Sequence, residues 1–233
     1  MNLLLFSNST NAGEEYLTYP LPHIKDFLLN HKSEKIAFIP YAAVTFSYDE
    51  YEAKVNKSFA AIGLKVESVH HSSNPADVIK KSDVIIVGGG NTFHLLKSIY
   101  ENNLIEPVRE KVESGTPYIG WSAGSNMACP TICTTNDMPI VQPPSFEAFN
   151  FIPFQINPHY LDASPEGHAG ETREQRILEF IAANKTKTVL GLREACWLIV
   201  NNEKMLLKGK KSARVFRYNQ SSFEIESNSV INL

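Results

Sequence analysis

Several things are scarce in this chain, and each scarcity excludes a class of protein. Only three cysteines occur in 233 residues, Cys129, Cys133 and Cys196. An odd, sparse set argues against a disulfide framework and for a reducing compartment, with the thiols read as buried packing groups. No run of about 18 apolar residues appears, so no membrane-crossing helix is expected. The opening Met1-Asn2-Leu3-Leu4-Leu5-Phe6-Ser7 has no basic start and too short an apolar run for a signal peptide. Basic charge is not in excess, and the net charge of −3 gives no footprint for nucleic acid or an anionic membrane surface. There is no His-Glu-x-x-His. The adjacent His70 and His71 fall at a strand end, where they would face opposite ways, so no structural zinc site is expected. Repeats, low-complexity tracts and an obvious linker are also missing. With 43% hydrophobic and 20% charged residues, the composition is that of a globular chain, and the expectation is one catalytic domain over residues 1–233.

What is present is a β-α alternation. Residues 3–7, 35–40, 66–70, 83–87 and 117–121 are short, nearly continuous apolar runs, the pattern of parallel strands covered on both faces. Amphipathic stretches at 15–29, 48–62, 75–81 and 92–114, the last broken near Asn102-Asn103, supply the helices. The order implies right-handed crossovers and an α/β three-layer sandwich with a mostly parallel sheet. A Pro- and Asn-rich loop at 134–153 follows, then a strand at 154–157 and a helix at 171–184. The strands at 188–192, 197–201, 205–207 and 213–218 are expected to be partly antiparallel.

Directly behind one strand stands Gly120-Trp121-Ser122-Ala123-Gly124. A Gly-x-Ser-x-Gly at a strand end lets the chain turn sharply into a helix, exposing the serine and leaving amides, such as that of Ala123, to bind an oxyanion. Ser122 is therefore a candidate nucleophile. Gly88-Gly89-Gly90-Asn91-Thr92 closes another strand and opens a helix. It matches neither a Walker A loop nor a dinucleotide fingerprint, and Gly89 and Gly90 read best as oxyanion donors. A serine nucleophile needs a base, and the base an orienting acid. His159, just after a strand, is the leading base and His168 its rival. Two carboxylates compete for the third place. Glu194 lies at a strand end, which can hold it rigidly. Asp137 matches the usual serine, acid, histidine order but stands too few positions before His159 for the usual intervening β-α units, so Glu194 leads.

The segments Gly88-Gly89-Gly90-Asn91-Thr92-Phe93, Ile119-Gly120-Trp121-Ser122-Ala123-Gly124, Thr134-Thr135-Asn136-Asp137-Met138-Pro139-Ile140, Gln155-Ile156-Asn157-Pro158-His159 and Glu166-Gly167-His168 occur here in one order. Together with Gly170-Glu171-Thr172-Arg173-Glu174-Gln175-Arg176 and the opening 3–10, they resemble the S51 family of serine peptidases over nearly the whole chain, weakening in about the last 30 residues. The resemblance implies a cytoplasmic α-aspartyl dipeptidase with no metal or cofactor, and a fold similar to that of class I glutamine amidotransferases. Carried over, Ser122 matches the nucleophile, His159 the base and Glu194 the acid, while Asp137 matches an aspartate also assigned to the charge relay. The chain departs from the family at Arg193-Glu194-Ala195-Cys196, where Pro-Glu-Gly-Asn is expected. Specificity for aspartate requires a cation, and Arg173 is the candidate, with Asn91 a second substrate contact. The expected partner is a small dipeptide, with the protein a monomer or homodimer and neither nucleic acid nor membrane involved. Two other readings are a cyanophycinase-like hydrolase of β-aspartyl substrates and a catalytically silent binding protein.

Overall fold

The computed structural model describes residues 1–162, 167, 169–202 and 204–233. His168 and Glu166 lie outside the described residues. An eight-stranded sheet dominates. Its parallel part comprises β1 (Asn2–Phe6), β2 (Ile36–Ile39), β3 (Val66–Ser68), β4 (Val84–Val87) and β5 (Tyr118–Trp121). Three antiparallel strands, β8 (Cys196–Asn201), β9 (Lys204–Gly209) and β12 (Val230–Ile231), extend it beyond β1. The spatial order is β12-β9-β8-β1-β5-β4-β2-β3.

Period-two alternation along these strands divides the core into two faces. Leu4, Phe6, Phe38, Ile86 and Trp121 pack with Ile24, Val55 and Phe59, residues of α1 (Pro20–Leu28) and α2 (Tyr48–Phe59). Leu3, Leu5, Ile39, Ile85 and Val87 face the other way. They pack against Ile79, Leu96 and Val108 on α3 (Pro75–Lys81), α4 (Thr92–Glu101) and α5 (Ile105–Glu113). This is the expected three-layer arrangement.

The C-terminal strands divide between two sheets, which period and composition did not reveal. The second sheet, β11-β10-β7-β6, contains β6 (Gln155–Tyr160), β7 (Thr188–Arg193), β10 (Ala213–Arg217) and β11 (Phe223–Ile225), with α7 (Arg173–Ala183) packed on it. Its β6–β7 pair is parallel, and the other two pairs are antiparallel. Leu5 of β1, Ile156 of β6, Leu192 of β7 and Val215 of β10 belong to one apolar cluster that runs between the sheets.

Local chemistry moved several boundaries. The first helix begins at Pro20 rather than near residue 15, because Leu17 takes a left-handed φ of 61° and proline suits the first helical turn. Asn103, φ 54°, separates α4 from α5, as the Asn102-Asn103 break implied. The strand expected at 66–70 stops at Ser68, and Val69–His71 form a 3-10 turn that carries both imidazoles to the same side. His159 lies within β6 rather than after it. Cys129 and Cys196 are buried as expected, but Cys133 is exposed. Among the described residues, no helix is long and apolar enough to cross a membrane.

Candidate active site

Ser122 joins β5 to the short helix α6 (Ala123–Asn126) with φ 53° and ψ −113°. For a residue with a side chain this is a strained conformation, costing on the order of 1–3 kcal/mol. The surroundings over-determine it. The Ser122 N–H donates to Phe6 O on β1 (3.1 Å), and Ser125 Oγ donates to the same carbonyl (2.7 Å). A side chain at Gly124 would put its Cβ 2.1 Å from Val87 O, so only glycine lets α6 lie this close to β4.

The serine hydroxyl points at an imidazole. His159 Nε2 lies 3.0 Å from Ser122 Oγ, and His159 Nδ1 lies 2.7 Å from Glu194 Oε1. With the proton on Nδ1 donated to Glu194, Nε2 is left to accept the Ser122 O–H. His159 is aimed by a bulge. Asn157 pairs with Gly191 and Tyr160 with Arg193, so Pro158 and His159 together face Leu192 alone, and His159 takes φ 52°. Glu194 follows Arg193 at the end of β7, the strand that pairs with β6.

Two residues that sequence reading treated only as part of the first strand region hold these parts together. Ser7 Oγ accepts the His159 N–H (2.8 Å) and donates to Leu192 O (2.8 Å). Asn8 Oδ1 accepts the Ala195 N–H (3.0 Å) and the Tyr19 hydroxyl (2.6 Å), fixing the turn that carries Glu194. Their only available signal was a polar pair directly after an apolar strand. Tyr16 and Tyr19 are packed and hydrogen-bonded. Burial pushes both phenols well above their ordinary range.

Gly89 lies against the serine. A Cβ added there would come within 3.1 Å of Ser122 Cβ and 3.0 Å of Trp121 Cδ1. Tyr51 on α2 holds the loop by donating its hydroxyl to Gly89 O (2.9 Å), while accepting from Trp121 Nε1 (3.2 Å). Gly90 has φ 139°, and a side chain there would run into Ala42 O. Ala123 is the first residue of α6, and its N–H lies outside that helix's own hydrogen-bond ladder. Gly89 and Ala123 thus both lie next to Ser122.

Asp137 is not part of the serine–histidine–glutamate line. Its Oδ2 accepts from the Thr92 N–H (2.7 Å), the Thr92 hydroxyl (2.5 Å) and the Thr135 hydroxyl (3.1 Å) at the start of α4. It lines a polar cavity of about 170 Å³ with Arg173, Arg176, Asn157 and Asn136. Burial, and then repulsion from Arg176, lower the pKa of Arg173, while Asp137 opposes them. Among the described residues Glu171 pairs with Arg176 and Glu174 with Arg214, and neither pairs with Arg173. Asn91 is largely occupied, since its Oδ1 caps α4 on the His94 N–H (3.0 Å) and its Nδ2 donates to Met138 O (2.9 Å).

The departure at 193–196 has a structural counterpart. Arg193 is nearly buried and binds Asp162 (Nε to Oδ2, 2.8 Å) and both oxygens of Glu224 (2.8 and 2.9 Å). Ala195, at the position where glycine was expected, has a left-handed φ of 63°.

Comparison with known proteins agrees with the order of these segments. The profile of Peptidase family S51 matches residues 3–208. The chain is 49% identical to a peptidase E of Nostoc over 222 residues, covering 95% of this chain and 91% of that one. It is 46% identical to a Pasteurella multocida peptidase E over 229 residues, 98% of each. In fold it is similar to a peptidase from an acI-B1 Actinobacterium (TM-score 0.73, 16% identity, covering 100% of this chain and 96% of the other). It also resembles a candidate peptidase E from Listeria monocytogenes (TM-score 0.68, 23% identity, 90% and 98% covered). The chain belongs to peptidase family S51.

Proposed function

We propose that this protein is a serine dipeptidase that hydrolyses dipeptides with N-terminal aspartate through an aspartyl-enzyme intermediate. The observation that carries the mechanism is the unbroken line Glu194–His159–Ser122, with contacts of 2.7 and 3.0 Å. His159 Nε2 takes the Ser122 proton as Oγ attacks the peptide carbonyl. Negative charge gathers on the carbonyl oxygen, facing amides of Gly89, Gly90 and Ala123. Each such donor is worth about 3 kcal/mol in the transition state. The imidazolium, balanced by Glu194, then gives its proton to the leaving amine, and the C–N bond breaks. Water, deprotonated by the same imidazole, attacks the acyl carbon and releases aspartate, returning the proton to Ser122.

Arg173 is the group that reads the substrate's side-chain carboxylate. The polar cavity it shares with Asp137 supports this, as does the engagement of the neighbouring acids with other arginines. Asp137, held by Thr92 through one oxygen, is placed in this reading to meet the substrate's α-ammonium with the other. Asn91, bonded to the His94 N–H and to Met138 O, keeps one amide N–H for the substrate. The chain acts in the cytoplasm as one catalytic unit over residues 1–233, monomeric or homodimeric.

The test is Ser122→Ala. Asp-Leu hydrolysis should fall by several orders of magnitude with thermal unfolding nearly unchanged, and near-normal turnover would remove the nucleophile assignment. A panel of Asp-X, Glu-X, Asn-X and β-Asp-X dipeptides separates an α-aspartyl from a β-aspartyl enzyme.

A further inference from the structure

A second group of chemically active side chains lies away from the serine. α2 carries Asp49 in its first turn and Glu52 in the next, and the 3-10 turn Val69–His71 follows β3 beside it. Because that turn is tight, His70 and His71 stand next to each other, ring centroids 4.0 Å apart. Both Nε2 atoms approach the same carboxylate oxygen. His70 Nε2 is 3.1 Å and His71 Nε2 3.7 Å from Asp49 Oδ1, and His71 Nε2 is 2.6 Å from Glu52 Oε2. The donor atoms of Asp49, His70 and His71 all lie within 4.8 Å of one another. Around a tetrahedral ion with bonds of about 2.0–2.1 Å, neighbouring donors stand about 3.3 Å apart. The spacing found is within a small side-chain adjustment of that.

We propose that Asp49, His70 and His71 form a binding site for a divalent transition-metal ion of the zinc type, with Glu52 as a fourth donor. Two imidazoles with carboxylates suit Zn²⁺, Co²⁺, Ni²⁺ or Cu²⁺ and disfavour Mg²⁺ and Ca²⁺. The supporting shell is in place. Ser68 Oγ, on a buried residue, lies 2.6 Å from His70 Nδ1, so a proton on Nδ1 leaves the Nε2 lone pair for the ion. Glu52 Oε1 accepts the Ser68 N–H at 2.8 Å, which holds its carboxylate facing His71. The His70 ring packs edge-on against Tyr48, 5.5 Å between centroids, which limits its rotation. Three of the four donors are therefore held before any ion arrives, and Asp49, the most exposed, would close the site. A bound ion would clasp the start of α2 to the turn after β3.

The full chain, freed of metal by a chelator, is titrated with Zn²⁺ by calorimetry and with Co²⁺ by visible absorption. One ion per chain should bind, and Zn²⁺ should raise the unfolding temperature. His70→Gln/His71→Gln should weaken binding by about a hundredfold or more, and Asp49→Asn by roughly tenfold. The metal-free double variant should hydrolyse Asp-Leu at the wild-type rate, showing that it folds. If it does not, His71→Gln alone, at a half-exposed position, serves the same comparison. No uptake by the wild type, or undiminished uptake by the variants, would overturn the proposal. So would uptake lost only in His159→Gln, which would place the ion at the serine site.

Discussion

Glu194→Gln is the most informative single change. The amide keeps the shape of the carboxylate, and its carbonyl oxygen can still accept the His159 Nδ1–H now held at 2.7 Å. What disappears is the negative charge facing the imidazolium that forms in the transition state. Two unit charges about 4 Å apart at an effective dielectric near 20 attract by about 4 kcal/mol. Here the His159 and Glu194 side chains are 38% and 45% exposed, so water screens the pair and roughly half to three-quarters of that figure remains. A loss of about 2–3 kcal/mol corresponds to a fall in kcat of roughly 30- to 150-fold. KM for Asp-Leu should change little, because the charge acts when the imidazole is protonated rather than on the bound substrate. Steady-state hydrolysis of Asp-Leu at several pH values, with unfolding temperature as the folding control, measures all of this. The matched variant is Asp137→Asn. It should raise KM and leave kcat within a few-fold, since Asp137 is bound to Thr92 and not to His159. If Asp137→Asn abolishes kcat while Glu194→Gln leaves it intact, the assignment of the acid is wrong.

Three further outcomes are expected. Arg173→Ala should cost about 3 kcal/mol in kcat/KM for Asp-X dipeptides, roughly a hundredfold, and much less for Asn-X; equal losses on both would make the residue structural. Ala195→Gly relieves a left-handed φ of 63°, worth about 1–2 kcal/mol, against a greater entropy loss on folding of about 0.5–1 kcal/mol. The unfolding temperature should therefore rise by about 2 °C, and a fall would refute the strain argument. Arg193 holds the Asp162 and Glu224 carboxyls below their usual range by hydrogen bonding to them. Their contribution is present above the ordinary carboxylate pKa near 4 and is lost as pH falls through the lowered values. Arg193→Leu should flatten that acid-side loss in thermal melts between about pH 5 and 2, whereas an unchanged slope would show that the pairs add nothing.

Much of this was legible without coordinates because it is local. The apolar runs marked every parallel strand of the main sheet, and the flanking glycines marked the turn at Ser122. Asn102-Asn103 marked the break between α4 and α5. The errors also have local causes. A left-handed Leu17 and a helix-starting Pro20 shortened the first helix, which an amphipathic pattern cannot register. A 3-10 turn replaced the end of β3, and with it the alternation that was expected to set His70 and His71 apart. The bulge at His159 left no composition signal.

By itself, then, the sequence determined the β-α framework, the serine on its strained turn, the glycine loop beside it and a short set of candidate bases and acids. Only the tertiary structure decided which acid meets the histidine. The sequence favoured Glu194 for its place at a strand end and counted the short interval between Asp137 and His159 against the aspartate, but neither argument brings a carboxylate to the imidazole. Parallel pairing of β6 with β7 places Tyr160 opposite Arg193, and so carries the next residue, Glu194, to the imidazole of His159. The same fold draws Asp137 away to the first turn of α4, where Thr92 binds its carboxylate.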